Sequence, residues 1–240
     1  MTPPTAQRVS TVPAVLEEVS RRIGAELSER IPGGEPAQWL YDVAREYPAR
    51  PAKHLRPAIC FAACEAFGGS RDEVVELAVA IEMLHNAFLV HDDIADGSER
   101  RRGESTLHTR HGVGLALNAG DALAVLAHRC VREGVDRLPV ALADRVVHEF
   151  DTMMTRTLEG QATELGWVRD VVVDLTPEDY LDLIMHKTCW YTTIHPLRVG
   201  AIVGSRGRLE VEPMVRFGFY LGAAFQIRDD VLNLIGAEET

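Results

Sequence analysis

The strongest constraint on what this chain can fold into is the period of its apolar residues. Over residues 15–31, Leu16, Val19, Ile23, Leu27 and Ile31 recur at spacings of three and four, the signature of one helix face. Pro32, Gly33, Gly34 and Pro36 end that helix. The same pattern predicts helices over 37–47, 57–68, 70–96, 114–134, 139–165 and 209–235, and one starting at Thr176 that is disturbed at Pro196. Start signals agree. Ser70 with Glu73 makes a capping box, Pro57 suits an opening turn, and Thr176, Pro177 and Asp179 mark another helix start. Residues 97–112 and 167–175 read as loops, with a possible strand fragment at 171–173 that has no partner strand. No repeat of solenoid length is present. The expected fold class is all-α, a single-domain bundle of long helices around a central cavity.

With 240 residues, 46% of them hydrophobic, the chain can bury one large core. A net charge of −11 argues against a nucleic-acid binder, which would carry a basic footprint. The one dense basic run, Arg100, Arg101 and Arg102, is flanked by Glu99 and Glu104. An acidic chain can still bind a polyanion through local cations or metal ions. No apolar run reaches the ~18 residues of a membrane span. The opening MTPPTAQRVSTVP has no signal-peptide pattern, so residues 1–12 are expected to be a flexible tail and the protein cytoplasmic. Cys60, Cys64, Cys130 and Cys189 read as small core residues of a reducing compartment; Cys-x-x-x-Cys without a second ligand pair is a weak metal signal.

The first chemical signal is Asp92, Asp93 and Asp96, which follow an apolar run containing Ile81, Leu84, Phe88 and Leu89. At 100° per residue, Asp92 and Asp96 share one helix face and Asp93 lies beside them. Two charges about 4 Å apart repel by roughly 4 kcal/mol at an effective dielectric near 20. A solvated helix end is the plain alternative, but the buried character of the preceding residues favours a hard divalent cation held by oxygen ligands. The second signal repeats the spacing: Asp229 and Asp230, then Asn233, with Gln226 sharing the face of Asp229. Two acidic clusters on two apolar helices are expected to face each other across one cavity. Cations outside these motifs, Lys53, Arg56, Arg101, Arg102, Lys187 and the potential cation His85, would individually pass for surface residues. Together they could hold two diphosphates.

The segments AKHLRP, LHNAFLVHDDIADGSERRRGESTLH, NAGDAL, EGQATELG, HKT and GAAFQIRDDVLNL, in that order from about residue 53 to 234, resemble the trans-isoprenyl diphosphate synthases, or polyprenyl synthetases. The resemblance implies a helical, homodimeric, cytosolic enzyme of the isoprenoid synthase type. It would use magnesium (Mg2+), three ions to a site, to join isopentenyl diphosphate to dimethylallyl, geranyl or farnesyl diphosphate. It assigns Asp92, Asp96 and Asp229 to direct metal ligation, and Asp93, Asp230 and Asn233 to its support. It assigns Lys53, Arg56, His85 and Arg102 to isopentenyl diphosphate, and Arg101, Lys187 and Gln226 to the allylic diphosphate. Thr188 and Gln161 fall near the reacting carbons. Phe88, with Ala87 beside it, falls on the turn that sets product length, which points to geranylgeranyl diphosphate, with farnesyl diphosphate next.

The departures from the family pattern are Ala52 for Gly, His54 for Lys or Arg, and Asn233 for an acid. The chain also ends seven residues after Asn233, where the family continues with further helices, so residues 13–240 are expected to form a prenyl synthase domain lacking them. A class I terpene cyclase shares the aspartate motif but needs no second diphosphate site. A non-catalytic partner subunit is a further alternative.

Overall fold

The computed structural model describes residues 11–235, with the side chain of Asn233 outside the described set. Most of the expected 1–12 tail lies outside the described residues, and helix already begins at Val12. The chain is helical nearly throughout, as its periodicity requires. Its helices are α1 (Val12–Arg30), α2 (Asp42–Arg45), α3 (Leu55–Ala66), α4 (Val75–Ala95), α5 (Leu107–His111), α6 (Val113–Val135), α7 (Val140–Asp170), α8 (Pro177–Ile184), α9 (His195–Gly204) and α10 (Pro213–Ile235). Wider, π-helical turns occupy Ala37–Tyr41, leading into α2, and Met185–Ile194, joining α8 to α9. The Ser70–Glu73 capping box is present, and it caps a short 3-10 turn just before α4. Among the described residues no helix is long and apolar enough to cross a membrane.

α4 is the axis of the bundle. Every residue from Val75 to Ala87 is buried, so this helix is enclosed on all sides rather than amphipathic. It packs most extensively on α6, while α3 packs on α9. All four cysteines are free and buried in this core, where burial pushes the Cys64 thiol up to about 11, as suits inert packing residues. The Arg198 guanidinium of α9 donates to both carboxylate oxygens of Glu149 on α7, at 2.6 and 2.7 Å. The same guanidinium reaches Glu212 at 3.1 Å, just ahead of α10. Breaking such a buried pair on one side leaves an uncompensated charge.

Several expectations are corrected. The 97–112 loop contains a two-residue antiparallel hairpin, β1 (Arg100–Arg101) on β2 (Glu104–Ser105), and then α5. Its determinant is remote: the buried Arg50 guanidinium donates to Arg101 O at 2.9 Å and Ser105 O at 2.6 Å. The expected loop at 167–175 is partly helix, since α7 runs to Asp170 and closes at Val171, and residues 171–173 form no strand. The expected disturbance at Pro196 is present, spread over the turns that lead into it. α8, the widened Met185–Ile194 stretch and α9 run on as one continuous helix, and the turns just before Pro196 are the ones that depart from α-helical spacing.

α10 lies against that widened stretch through glycines one turn apart. A Cβ on Gly218 would meet Ile194, and one on Gly222 would meet Cys189 and Thr193. Thr193 Oγ1 donates to Gly218 O at 2.6 Å. The apolar residues that make α10 look like a core helix, Phe217, Leu221, Phe225 and Leu232, are instead exposed among the described residues. Gly218→Leu is therefore expected to lower stability by about 1–3 kcal/mol through overpacking, seen as a lower urea midpoint at unchanged slope. An unchanged midpoint would contradict this close packing.

Candidate active site

The last turn of α4 carries the first acidic cluster, and its three aspartates have separate fates. Asp92 is half-buried and faces the cleft. Asp96 caps the helix and is exposed. Asp93 is 1% exposed and turned inward, where Arg101 Nε and Nη2 donate to Oδ1 at 3.0 and 2.5 Å and the Tyr47 hydroxyl donates to Oδ2. The expected arc of three mutually repelling carboxylates is thus relieved on one side by Arg101, eight residues downstream. Burial pushes the Asp92 carboxyl up to about 6; nearby Lys187 opposes this and Asp96 adds to it.

α10 supplies the opposite wall. Asp230 accepts from the Tyr180 hydroxyl at 2.6 Å and from Gln226 Nε2 at 2.8 Å. Asp229 stands beside it on the cleft. Lys187 enters from the widened segment, ion-paired with Glu164 of α7. α7 can come so near because residue 160 is glycine: a Cβ there would run into the Lys187 backbone.

Three adjoining spaces result. Between the walls lies a cavity of about 310 Å³ lined by Asp92, Asp229, Asp230, Lys187, Thr188, Gln226 and Arg101. Toward α3 and the hairpin it meets a space of about 790 Å³ that carries Lys53, Arg56, Arg101, Arg102 and His85. On the other side, Asp92 and Lys187 also border a mostly apolar pocket of about 230 Å³, with Phe88, Leu158, Gln161 and Leu165 in its walls. Arg56 is held over the Tyr191 ring at 4.5 Å, and its Nη2 donates to Thr192 Oγ1 at 2.9 Å. Burial, with Arg56 and Arg102 nearby, holds the His85 imidazole well below its ordinary pKa, so His85 is neutral rather than a cation. The Phe88 ring meets Tyr191 edge-on at 5.7 Å.

The fold therefore gathers the expected residues, with three differences: Asp93 points inward, Asp96 borders none of these spaces, and the Asn233 side chain lies outside the described residues. Sequence reasoning missed Tyr47, Tyr180, Tyr191 and Glu164 as partners of the site. Glu164 lies within the EGQATELG segment; no local pattern marks the tyrosines. Among the described residues no three His, Cys, Asp or Glu side chains close around a common point. Asp92 and Asp229, on the two walls of the cleft, offer hard oxygen donors, which fit a magnesium ion that takes its remaining ligands from outside the protein.

Comparison with known proteins agrees with this geometry. Residues 37–240 match the polyprenyl synthetase family model. A geranylgeranyl diphosphate synthase of Sulfolobus acidocaldarius is 33% identical over 226 residues, covering 92% of this chain and 66% of its own. A short chain isoprenyl diphosphate synthase of Methanothermobacter thermautotrophicus is 35% identical, covering 78% and 56%. The crystal structure of a geranylgeranyl pyrophosphate synthetase from Pyrococcus horikoshii superposes with a TM-score of 0.83 at 35% identity, over 94% of this chain and 68% of that one. The fold is thus that of the all-helical isoprenoid synthases. The chain belongs to the polyprenyl synthetase family, and it spans about two thirds or less of the length of these two curated relatives.

The raised Asp92 carboxyl has a consequence for stability. A folded-state pKa of about 6 against an ordinary 3.8 means the folded protein binds this proton more tightly. That contribution is complete below about pH 4 and is lost as pH rises through 6. Fully buried, it would be worth about 3 kcal/mol at ~1.4 kcal/mol per tenfold change in proton affinity; screening at a half-exposed group reduces it to about 1 kcal/mol. In chelator-treated protein, Asp92→Asn should gain about that much stability relative to wild type between pH 4 and pH 7.5, measured by urea unfolding. An identical difference at both pH values would contradict the burial of Asp92.

Proposed function

We propose that this protein condenses isopentenyl diphosphate with an allylic diphosphate, giving geranylgeranyl diphosphate as its main product. The observation that carries the reading is the junction of the three spaces: a cationic one, an acid-walled one and an apolar one, meeting at Asp92, Lys187 and Arg101. A cyclase working on one allylic diphosphate has no use for the separate cationic space.

In this reading the allylic diphosphate lies between the acidic walls. Magnesium, held by Asp92, Asp96 and Asp229 with support from Asp230 and Asn233, would neutralise the charge that gathers on the leaving group. Asp93 supports it indirectly by fixing Arg101. Lys187, Arg101 and Gln226 orient the leaving diphosphate, and the allylic C–O bond breaks. Lys53, Arg56 and Arg102, with His85 beside them, hold isopentenyl diphosphate so that its double bond faces the carbocation. A new C–C bond forms, and a proton passes to the departed diphosphate. Preorganised charge and positioning supply the rate, Thr188 and Gln161 stand near the reacting carbons, and the apolar walls limit the access of water to the cation. A cytoplasmic homodimer is the location and assembly expected of the family.

Product length is set where the chain grows past Phe88, whose ring packs on Tyr191. The relatives named as geranylgeranyl diphosphate synthases support that product. The test is incubation with magnesium, isopentenyl diphosphate and each allylic diphosphate in turn, with products identified by mass. Geranylgeranyl diphosphate is expected; a cyclic hydrocarbon made without isopentenyl diphosphate would overturn the reading. Phe88→Ala should shift the profile to longer products at similar total turnover, and an unchanged profile would put the floor elsewhere.

A further inference from the structure

Glu82 lies ten residues before Asp92 on α4, and it is 2% exposed. A buried carboxylate is costly unless its oxygens are paired. Yet Glu82 Oε2 has no hydrogen-bond partner, and the side chain borders the cationic space rather than the apolar core. Asn86 does not satisfy it, since its amide donates to the Glu82 backbone carbonyl at 2.8 Å.

What surrounds this carboxylate is basic. His54 Nε2 is 4.0 Å from Oε1; burial lowers the pKa of its imidazole, and Glu82 partly offsets this. Arg102 lines the same space as Glu82, and there attraction to Glu82 is the main influence opposing the desolvation of its guanidinium. These two residues arrive from different loops, His54 just ahead of α3 and Arg102 at the tip of the β1–β2 hairpin. Both hold left-handed backbone, with φ of 47° and 54°, a conformation that L side chains with a Cβ rarely adopt. Such settings persist where the surroundings impose them, and they cluster at ligand sites. Left alone, the guanidinium groups around this space, Arg102 with Arg56, Arg101 and Arg50, would repel one another.

We propose that Glu82 is a positioning residue whose buried carboxylate draws His54 and Arg102 into one rim with Lys53 and Arg56, presenting a preformed cradle to the diphosphate of the non-allylic substrate. The inference rests on the functional reading above. Glu82 makes no contact with the diphosphate itself; it acts through the two residues it holds. The acid is kept because the cost of its burial is offset by a cradle that does not have to assemble when the ligand arrives.

The experiment is isothermal titration of the full chain with isopentenyl diphosphate and, separately, with geranyl diphosphate. Glu82→Gln keeps the shape and removes the charge. It should weaken isopentenyl diphosphate binding about tenfold (~1.4 kcal/mol) and geranyl diphosphate binding less than twofold. Glu82→Asp, which keeps the charge, should stay within threefold of wild type, and it carries the test if the Gln variant does not fold. In a His54→Ala, Arg102→Ala background, Glu82→Gln should cost less than about threefold further, because nothing remains to be positioned. A purely structural role would leave that cost unchanged and would weaken both ligands alike, and either result overturns the proposal. So does equal or tighter isopentenyl diphosphate binding by Glu82→Gln, or a loss in Glu82→Asp as large as that in Gln. Wild type that binds geranyl diphosphate but no isopentenyl diphosphate would overturn the transferase reading, and this inference with it. Wild type and Glu82→Gln binding alike would remove only the role of Glu82.

Discussion

The geometry of the site turns on one charge that water does not reach. Asp93, 1% exposed on the axial helix, is met by the Arg101 guanidinium and the Tyr47 hydroxyl. That requirement brings the β1–β2 hairpin back over the end of α4. Arg50, stacked on the Tyr47 ring at 4.3 Å, then locks the hairpin backbone from below. Arg102, the next residue along, is left at the mouth of the cationic space. Losing Arg101 would strand a buried carboxylate, which costs far more than the pair contributes. Neighbouring aspartates thus divide the work: Asp93 fixes Arg101, while Asp92 faces the cleft.

The opposing wall depends on close approach rather than charge. α10 and α7 both press against the widened Met185–Ile194 stretch through glycines, and this brings Asp229, Lys187 and Gln161 to the same junction from three elements. The buried Arg198–Glu149 pair secures α9 behind them. The adjoining spaces differ in chemistry because different elements line them: loops and a hairpin supply the cations, and helix faces supply the acids and the apolar pocket. In the proposed reaction, that division would let two anionic head groups and one hydrocarbon tail share a single bundle.

Much of this was legible beforehand, for physical reasons. Helix periods survive wherever one face is buried, so α1 and the long central helices stood out, as did the Ser70–Glu73 box. Both aspartate motifs and the scattered cations were visible because chemistry needs those residue types, and the fold gathers most of them. What was hidden depends on distant partners. Spacing alone put Asp93 in the same arc as Asp92, and only burial against Tyr47 and Arg101 separates them. The hairpin is held by Arg50, fifty-one residues before Arg101, so its own Gly, Ser and charge looked like loop. On α10, Phe217 and Leu221 suggested a core face, whereas the packed face is Gly218 and Gly222, which carry no hydrophobic signal at all.

The central claim is that the acidic walls of α4 and α10 act together, bridged through divalent ions to one diphosphate. Its most direct test is calorimetric titration of inorganic diphosphate into the protein, with magnesium and then with chelator, for wild type, Asp92→Ala and Asp229→Ala. The account predicts binding that depends on magnesium and falls at least ~100-fold in either variant, although the two residues lie on different helices. Equal affinity with chelator, or a loss in one variant and none in the other, would contradict it.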